Sequence, residues 1–194
     1  MNFATTAIQL TQRHIGAIIL MLTVAAVGFI LLASPEGIAG NNQPAPVISA
    51  KDRQFLISAA QAGNAEIIAS RVAPGNADSD AVKKFAAEML DSHTKLAERL
   101  KQLAASKDVQ LPDQPSRQQL TAIEKISGLN TKKYDRAYVA LAGVAEHKDA
   151  VDLFRDASQT LIDDDIREFA AASLPMLKHH LLMAQDLQLS VGLP

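Results

Sequence analysis

The 194-residue chain contains no cysteine. That single absence removes disulfides, thiolate metal ligands, a thiol nucleophile and a lipid-modified N-terminal cysteine together. Tryptophan is also missing and tyrosine occurs twice, against an abundance of Ala and Leu, so the composition favours helices over sheet. Charge of one sign is lacking as well: 19 Lys and Arg against 21 Asp and Glu leave a net −2. Without a basic stripe, nucleic acid is excluded as a partner. Glycine-rich phosphate loops and a G-x-S-x-G elbow are absent too.

What is present begins with "IGAIILMLTVAAVGFILLAS", residues 15–34, twenty residues without a charge. That length is enough to span a bilayer. Arg13 precedes the run and Glu36 is the first charge after it, which leaves the N-terminus in the cytoplasm and sends the rest outward. Residues 1–34 therefore read as a signal anchor or signal peptide, and either one exports the remainder of the chain. A retained anchor would tie the protein to the inner membrane; cleavage would release it to the envelope. Residues 35–50, "PEGIAGNNQPAPVISA", have linker composition. The folded domain is expected over 51–190.

"SAKD" at 49–52 matches a helix-capping box with Ser49 as N-cap. Phe55, Ala59, Ala62, Glu66 and Ala69 then recur at helical spacing, up to the break at "APGN". Asp78 and Ser79 open a second helix whose stripe is Val82, Phe85, Met89, His93, Leu96, Leu100 and Leu103, ended by "QLPDQPS". A short helix near 116–127 closes on Gly128. The third long helix carries Tyr134, Tyr138, Leu141, Val144, His147, Val151 and Phe154. The fourth opens on Asp163, Asp164 and Asp165, where negative charge suits the helix dipole. Its stripe is Ile166, Phe169, Ser173, Leu177, His180, Ala184 and Leu187, with Pro175 expected to kink it. No period-two segment competes. The expected architecture is all-α: an up-down-up-down four-helix bundle with one short extra helix between helices 2 and 3.

Three of these stripes each hold one histidine. In "KHH", His180 lies on the apolar stripe and His179 off it, facing solvent, because neighbours on a helix point about 100° apart. Placing the turns near 76 and 162 at one end puts His93, His147 and His180 at depths of roughly 23–27 Å, within about one turn of each other. Glu66, the only acid on its stripe, comes out one or two turns higher. Three imidazoles and a carboxylate suit a single Zn²⁺ or Cu²⁺ ion. The competing explanation is three core histidines bonded to tyrosine hydroxyls, carboxylates or water. The tyrosines and Phe154 read as core, and the three aspartates as a helix start without calcium-loop spacing.

With these residues laid out, the sequence resembles domain-of-unknown-function family 4142. The likeness rests on "DRQFLISAAQAGNAEI" (52–67), "VKKFAAEMLDSHTKL" (82–96), "YDRAYVALAGVAEHKDAVDLF" (134–154) and "LPMLKHHLLMA" (174–184). The resemblance implies an exported bacterial protein with a ferritin-like four-helix fold. It aligns the family's Glu and three His with Glu66, His93, His147 and His180. The family commonly has Asp before the second-helix histidine; here Ser92 stands there and Asp91 points elsewhere. No activity comes with the resemblance.

Three functions are thereby expected in unequal measure. The first is an envelope metal-binding protein using Glu66, His93, His147 and His180. The second is a structural or interaction module without metal. A ferritin-like oxidase is the weakest, because a di-iron centre needs Glu-x-x-His on two helices. Glu66, Glu88, Glu146 and Glu168 are followed three residues on by Ala69, Asp91, Asp149 and Ala171.

Overall fold

Helix α1 (Ala50–Asn76) starts as a capping box: Ser49 Oγ accepts from the Asp52 N–H, and the Asp52 carboxylate accepts from the Ser49 N–H. Two donors that a helix start leaves open are thereby satisfied. Pro74 falls in the last turn and the helix runs on to Asn76. Helix α2 (Asp80–Ser106) ends short of the 110–116 segment expected to stop it. Asp108 adopts a left-handed φ of 53°, and the N–H groups of Asp108 and Val109 reach back to the carbonyls of Ala105 and Ala104. This is a Schellman closure, sealed by Val109 and Ala104 within the same apolar cluster.

Helix α3 (Arg117–Ser127) opens on a second capping box, between Ser116 and Gln119. Helix α4 (Thr131–Tyr138), a π-helical stretch (Val139–Ala145) and α5 (Glu146–Thr160) follow with right-handed backbone across both junctions, so they form one rod. Helix α6 (Asp164–Ser190) is capped by Asp163 and continuous through Pro175. The computed structural model describes residues 48–192. The apolar run 15–34 and nearly all of the linker lie outside them. Counting the rod once, the described residues form five helices and no strand. Among them no helix is long and apolar enough to cross a membrane.

The helices pack as two pairs, α1 along α2 and α5 along α6, with α1 also against α5 and α2 against α6. Their directions correct the expected topology. The start of α1 lies beside the α5–α6 turn, where Asp52 Oδ1 accepts from the Ile162 N–H at 3.1 Å. Lys107, just past α2, meets Asp163 there at 2.8 Å. At the opposite end Asp135 of α4 accepts from the N–H groups of Asp78 and Ser79, each at 3.0 Å. The order is therefore up-down-down-up, not up-down-up-down, and the turns near 76 and 162 sit at opposite ends. The reason is residues 107–130. They are a crossover that carries the chain back along the molecule, with α3 laid against α1.

The buried residues separate into two apolar halves. One holds Phe55, Leu56, Leu96, Leu100, Phe154, Ile166 and Phe169. The other holds Val82, Phe85, Met89, Ile123, Tyr134, Tyr138 and Ala184. On α2 the change from one half to the other falls between Met89 and Leu96, on the rod between Ala142 and Val151, and on α6 between Leu177 and Ala184. His93, His147 and His180 occupy those three intervals.

Candidate metal centre

The three histidines come together because each sits near the middle of a long helix, where depth is nearly the same measured from either end. That is why the reversed topology leaves their convergence intact. His93 Nε2 lies 3.2 Å from His147 Nε2, and His147 Nε2 lies 3.3 Å from His180 Nδ1. One nitrogen from each ring falls within 4.8 Å of the others. All three side chains are buried. His179 is exposed, as its place off the stripe requires.

The tautomer of His147 follows from its other nitrogen. Nδ1 is 2.8 Å from the carbonyl of Ala142, which only accepts, so Nδ1 carries the proton. In the neutral ring Nε2 is then a lone pair, and it faces two other ring nitrogens at once. Burial pushes the pKa of all three histidines down: His93 well below its ordinary value, His147 below it, and His180 to about 4. The mutual repulsion of the rings adds to this for His93 and His180. At neutral pH the cluster is three uncharged imidazoles, the form that binds metals.

The π-helical stretch makes the Ala142 contact. Buried positions on the rod run Tyr134, Tyr138, Ala142 and then His147, a five-residue step where an α-helix would give three or four. The Glu146 N–H correspondingly reaches the Leu141 carbonyl, five residues back. Leu141 and Val144, placed on the stripe by regular spacing, are only half-buried; Ala142 and Gly143 are buried in their stead. Gly143 permits close approach to α6, since a Cβ there would lie 3.0 Å from Ala184 Cβ. π-turns of this kind occur disproportionately at functional sites.

Glu66 is placed next to the triad, not among its nitrogens. Its Oε1 lies 3.9 Å from Nδ1 of His147, on the ring edge turned away from the cluster. The residue is 4% exposed, and neither oxygen has a hydrogen-bond partner. Burial, then the nearby Glu146, holds its pKa well above the carboxylate range. Nδ1 of His93 is likewise buried without a partner. Asp91 does not serve it: that carboxylate is on the surface, 2.6 Å from Lys95. Glu146 was not singled out by the sequence. It is half-buried beside Glu66 and accepts a 3.3 Å hydrogen bond from Gln119 Nε2. Its one sequence signal is adjacency to His147, which on a regular helix would turn it away from the core.

A tetrahedral ion with bonds of about 2.0–2.1 Å sets its ligand nitrogens roughly 3.3 Å apart. The two short contacts of the triad match that spacing. A buried carboxylate and a backbone-anchored imidazole are the neighbours such an ion requires. The donor set fits a divalent metal.

Residues 38–187 match the family described as "Domain of unknown function (DUF4142)". The chain belongs to the DUF4142 family. The resemblance read from the four sequence segments is thereby confirmed. Among solved structures, this DUF4142 chain is similar to a DUF305 protein of Streptomyces coelicolor, described as a candidate secreted protein. The TM-score is 0.61 at 12% identity, covering 74% of this chain and 94% of that one. At that identity the likeness is one of fold. No curated protein matches the chain.

Proposed function

We propose that this DUF4142 protein is an exported, non-redox metal-binding protein of the bacterial envelope. His93, His147 and His180 hold one Zn²⁺ or Cu²⁺ ion, and Glu66 supplies a compensating negative charge from beside His147. The observation that carries this reading is the lone pair of His147 Nε2 facing nitrogens of both other histidines at 3.2 and 3.3 Å. Core histidines kept for packing alone would pair each buried nitrogen with a donor or acceptor. Here His93 Nδ1 and both Glu66 oxygens are orphaned. Export is supported by the uncharged run 15–34 behind Arg13, and by the description of the DUF305 neighbour as a secretion candidate. The four long helices, joined by one crossover, are read as a ferritin-like four-helix bundle. Whether retained at the inner membrane or released, the domain acts in sequestration, sensing or delivery.

The test is a thermal melt of the full chain, stripped of metal, with and without Zn²⁺ and Cu²⁺. An ion at about 100 times its Kd adds roughly 2.7 kcal/mol, which for a domain near this size raises Tm by about 5–10 °C. The shift should vanish in His93→Ala and His180→Ala. No shift with either ion refutes the metal site and leaves an interaction module with a polar core.

A further inference from the structure

The triad is closed to solvent, so an ion needs a way in. A small cavity of about 20 Å³ touches it, lined by His93, His147, Glu66 and Glu146 among others. That is room for a single water-sized occupant. A second, of about 10 Å³, lies across Glu66 and Glu146. On the surface beside them is a cleft of about 420 Å³, lined by Ser58, Gln61, Ser116, Gln119, Glu146 and Asp149. Glu146 is the one residue shared by the cleft and both cavities, and Glu66 is shared by both cavities.

We propose that divalent cations reach the histidine triad from this cleft through Glu146 and then Glu66, two carboxylates that exchange for the ion's waters in succession. Such a path rests on the metal-binding reading of the triad. The cleft has two acids and no Lys or Arg in its lining, so its field gathers cations. Glu146 spends one long hydrogen bond on Gln119, leaving an oxygen for an arriving ion. Glu66 stands behind it, buried, with both oxygens unpartnered and set against the cavity that touches His93 and His147. A larger cleft of about 480 Å³ also borders that cavity, but it meets it through Ala59, Gly63, Leu96 and Phe154. Those groups offer a hydrated cation nothing in trade for its waters. Glu146 is thus a positioning residue on the path, not a ligand of the final site.

The experiment is stopped-flow Zn²⁺ uptake by the stripped full chain, with a zinc indicator dye as competitor, together with equilibrium affinity. Glu146→Gln, which keeps shape and the Gln119 contact, should slow association about tenfold or more. Dissociation should slow as well, so that Kd changes far less than either rate, because a residue on the path lowers the barrier in both directions. Ala150→Leu, which narrows the boundary shared by the cleft and the cavity without touching charge, should also slow both rates. Unchanged rates in both variants overturn the path while leaving the metal site standing. Faster dissociation with weakened Kd in Glu146→Gln overturns it too, by making Glu146 a ligand. A wild-type chain that takes up neither Zn²⁺ nor Cu²⁺ refutes the site, and the path with it.

Discussion

Glu66→Gln should make the metal-free protein more stable and reduce the stability the protein gains from metal. In the stripped chain Glu66 is buried with both oxygens unpartnered, and its pKa is held well above the ordinary 4.5. The folded state therefore keeps a proton that the unfolded chain has already lost. A raised carboxylate of this kind makes stability fall as pH climbs above about 4.5, by up to 1.4 kcal/mol per pH unit while the folded form stays protonated. Glutamine has no such dependence. Between pH 5 and pH 7 the advantage of Glu66→Gln should therefore grow, by an amount on the order of 2 kcal/mol at most. The three histidines titrate in the same range, but they are common to both proteins and their contribution largely cancels in the difference. With saturating Zn²⁺ the advantage should shrink by about 1.4–2.7 kcal/mol, since the variant loses the carboxylate beside His147 and should bind about 10–100-fold more weakly. Urea unfolding of both proteins at pH 5, 6 and 7, with and without Zn²⁺, measures all of this. A stability difference that does not change with pH would refute a protonated Glu66 and show that it is ionised and satisfied in the folded protein.

The triad itself should make the stripped protein acid-sensitive. All three histidine pKa values are depressed, so their contribution to stability is present above about 6.5 and is lost as pH falls toward the folded value, which is about 4 for His180. A denaturation series in His180→Ala should show a shallower loss over that interval. Deleting Ala140, an exposed residue of the π-helical stretch, should keep the helical circular dichroism while breaking the Ala142–His147 hydrogen bond. Zn²⁺ titration should then report about a 10–100-fold weaker site. The two stacked tyrosines should differ: Tyr138→Phe strands Ser70, its 3.0 Å partner, and costs about 1–3 kcal/mol, whereas Tyr134→Phe removes an unpartnered hydroxyl at little cost, both read by urea unfolding.

The pattern of the sequence carried most of the helices and the triad, for identifiable reasons. Spacing of three and four records which face of a helix leaves water, so Val82 to Leu100 and Ile166 to Ala184 were legible as buried faces. His93, His147 and His180 were legible because mid-helix residues meet whichever way the helices run. The direction itself was not, since a buried stripe does not say which neighbour covers it. Residues 107–130 looked like a link between adjacent helices and proved to be a crossover. The π-helical stretch was hidden for a related cause: Ala142 and Gly143 are too small to stand out beside Leu141 and Val144. Glu146 went with it. Glu66 was found as a buried acid, but its position at the far edge of His147 depends on ring orientation, which no spacing encodes.

The belt of histidines between two apolar halves also acts as a length gauge. Sliding α6 past its neighbours by one turn, about 5.4 Å, would bring either Leu177 or Ala184 to the level of His93 and His147 and carry His180 into one of the apolar halves. Such a slip would strand a buried imidazole among hydrocarbon and fill its place with a side chain that answers neither ring. Apolar contacts alone are forgiving of such slips, because one Leu–Ala–Val surface is much like another. In a chain without a single cysteine to clamp its helices, the polar layer is the element that tells four long helices where to stop.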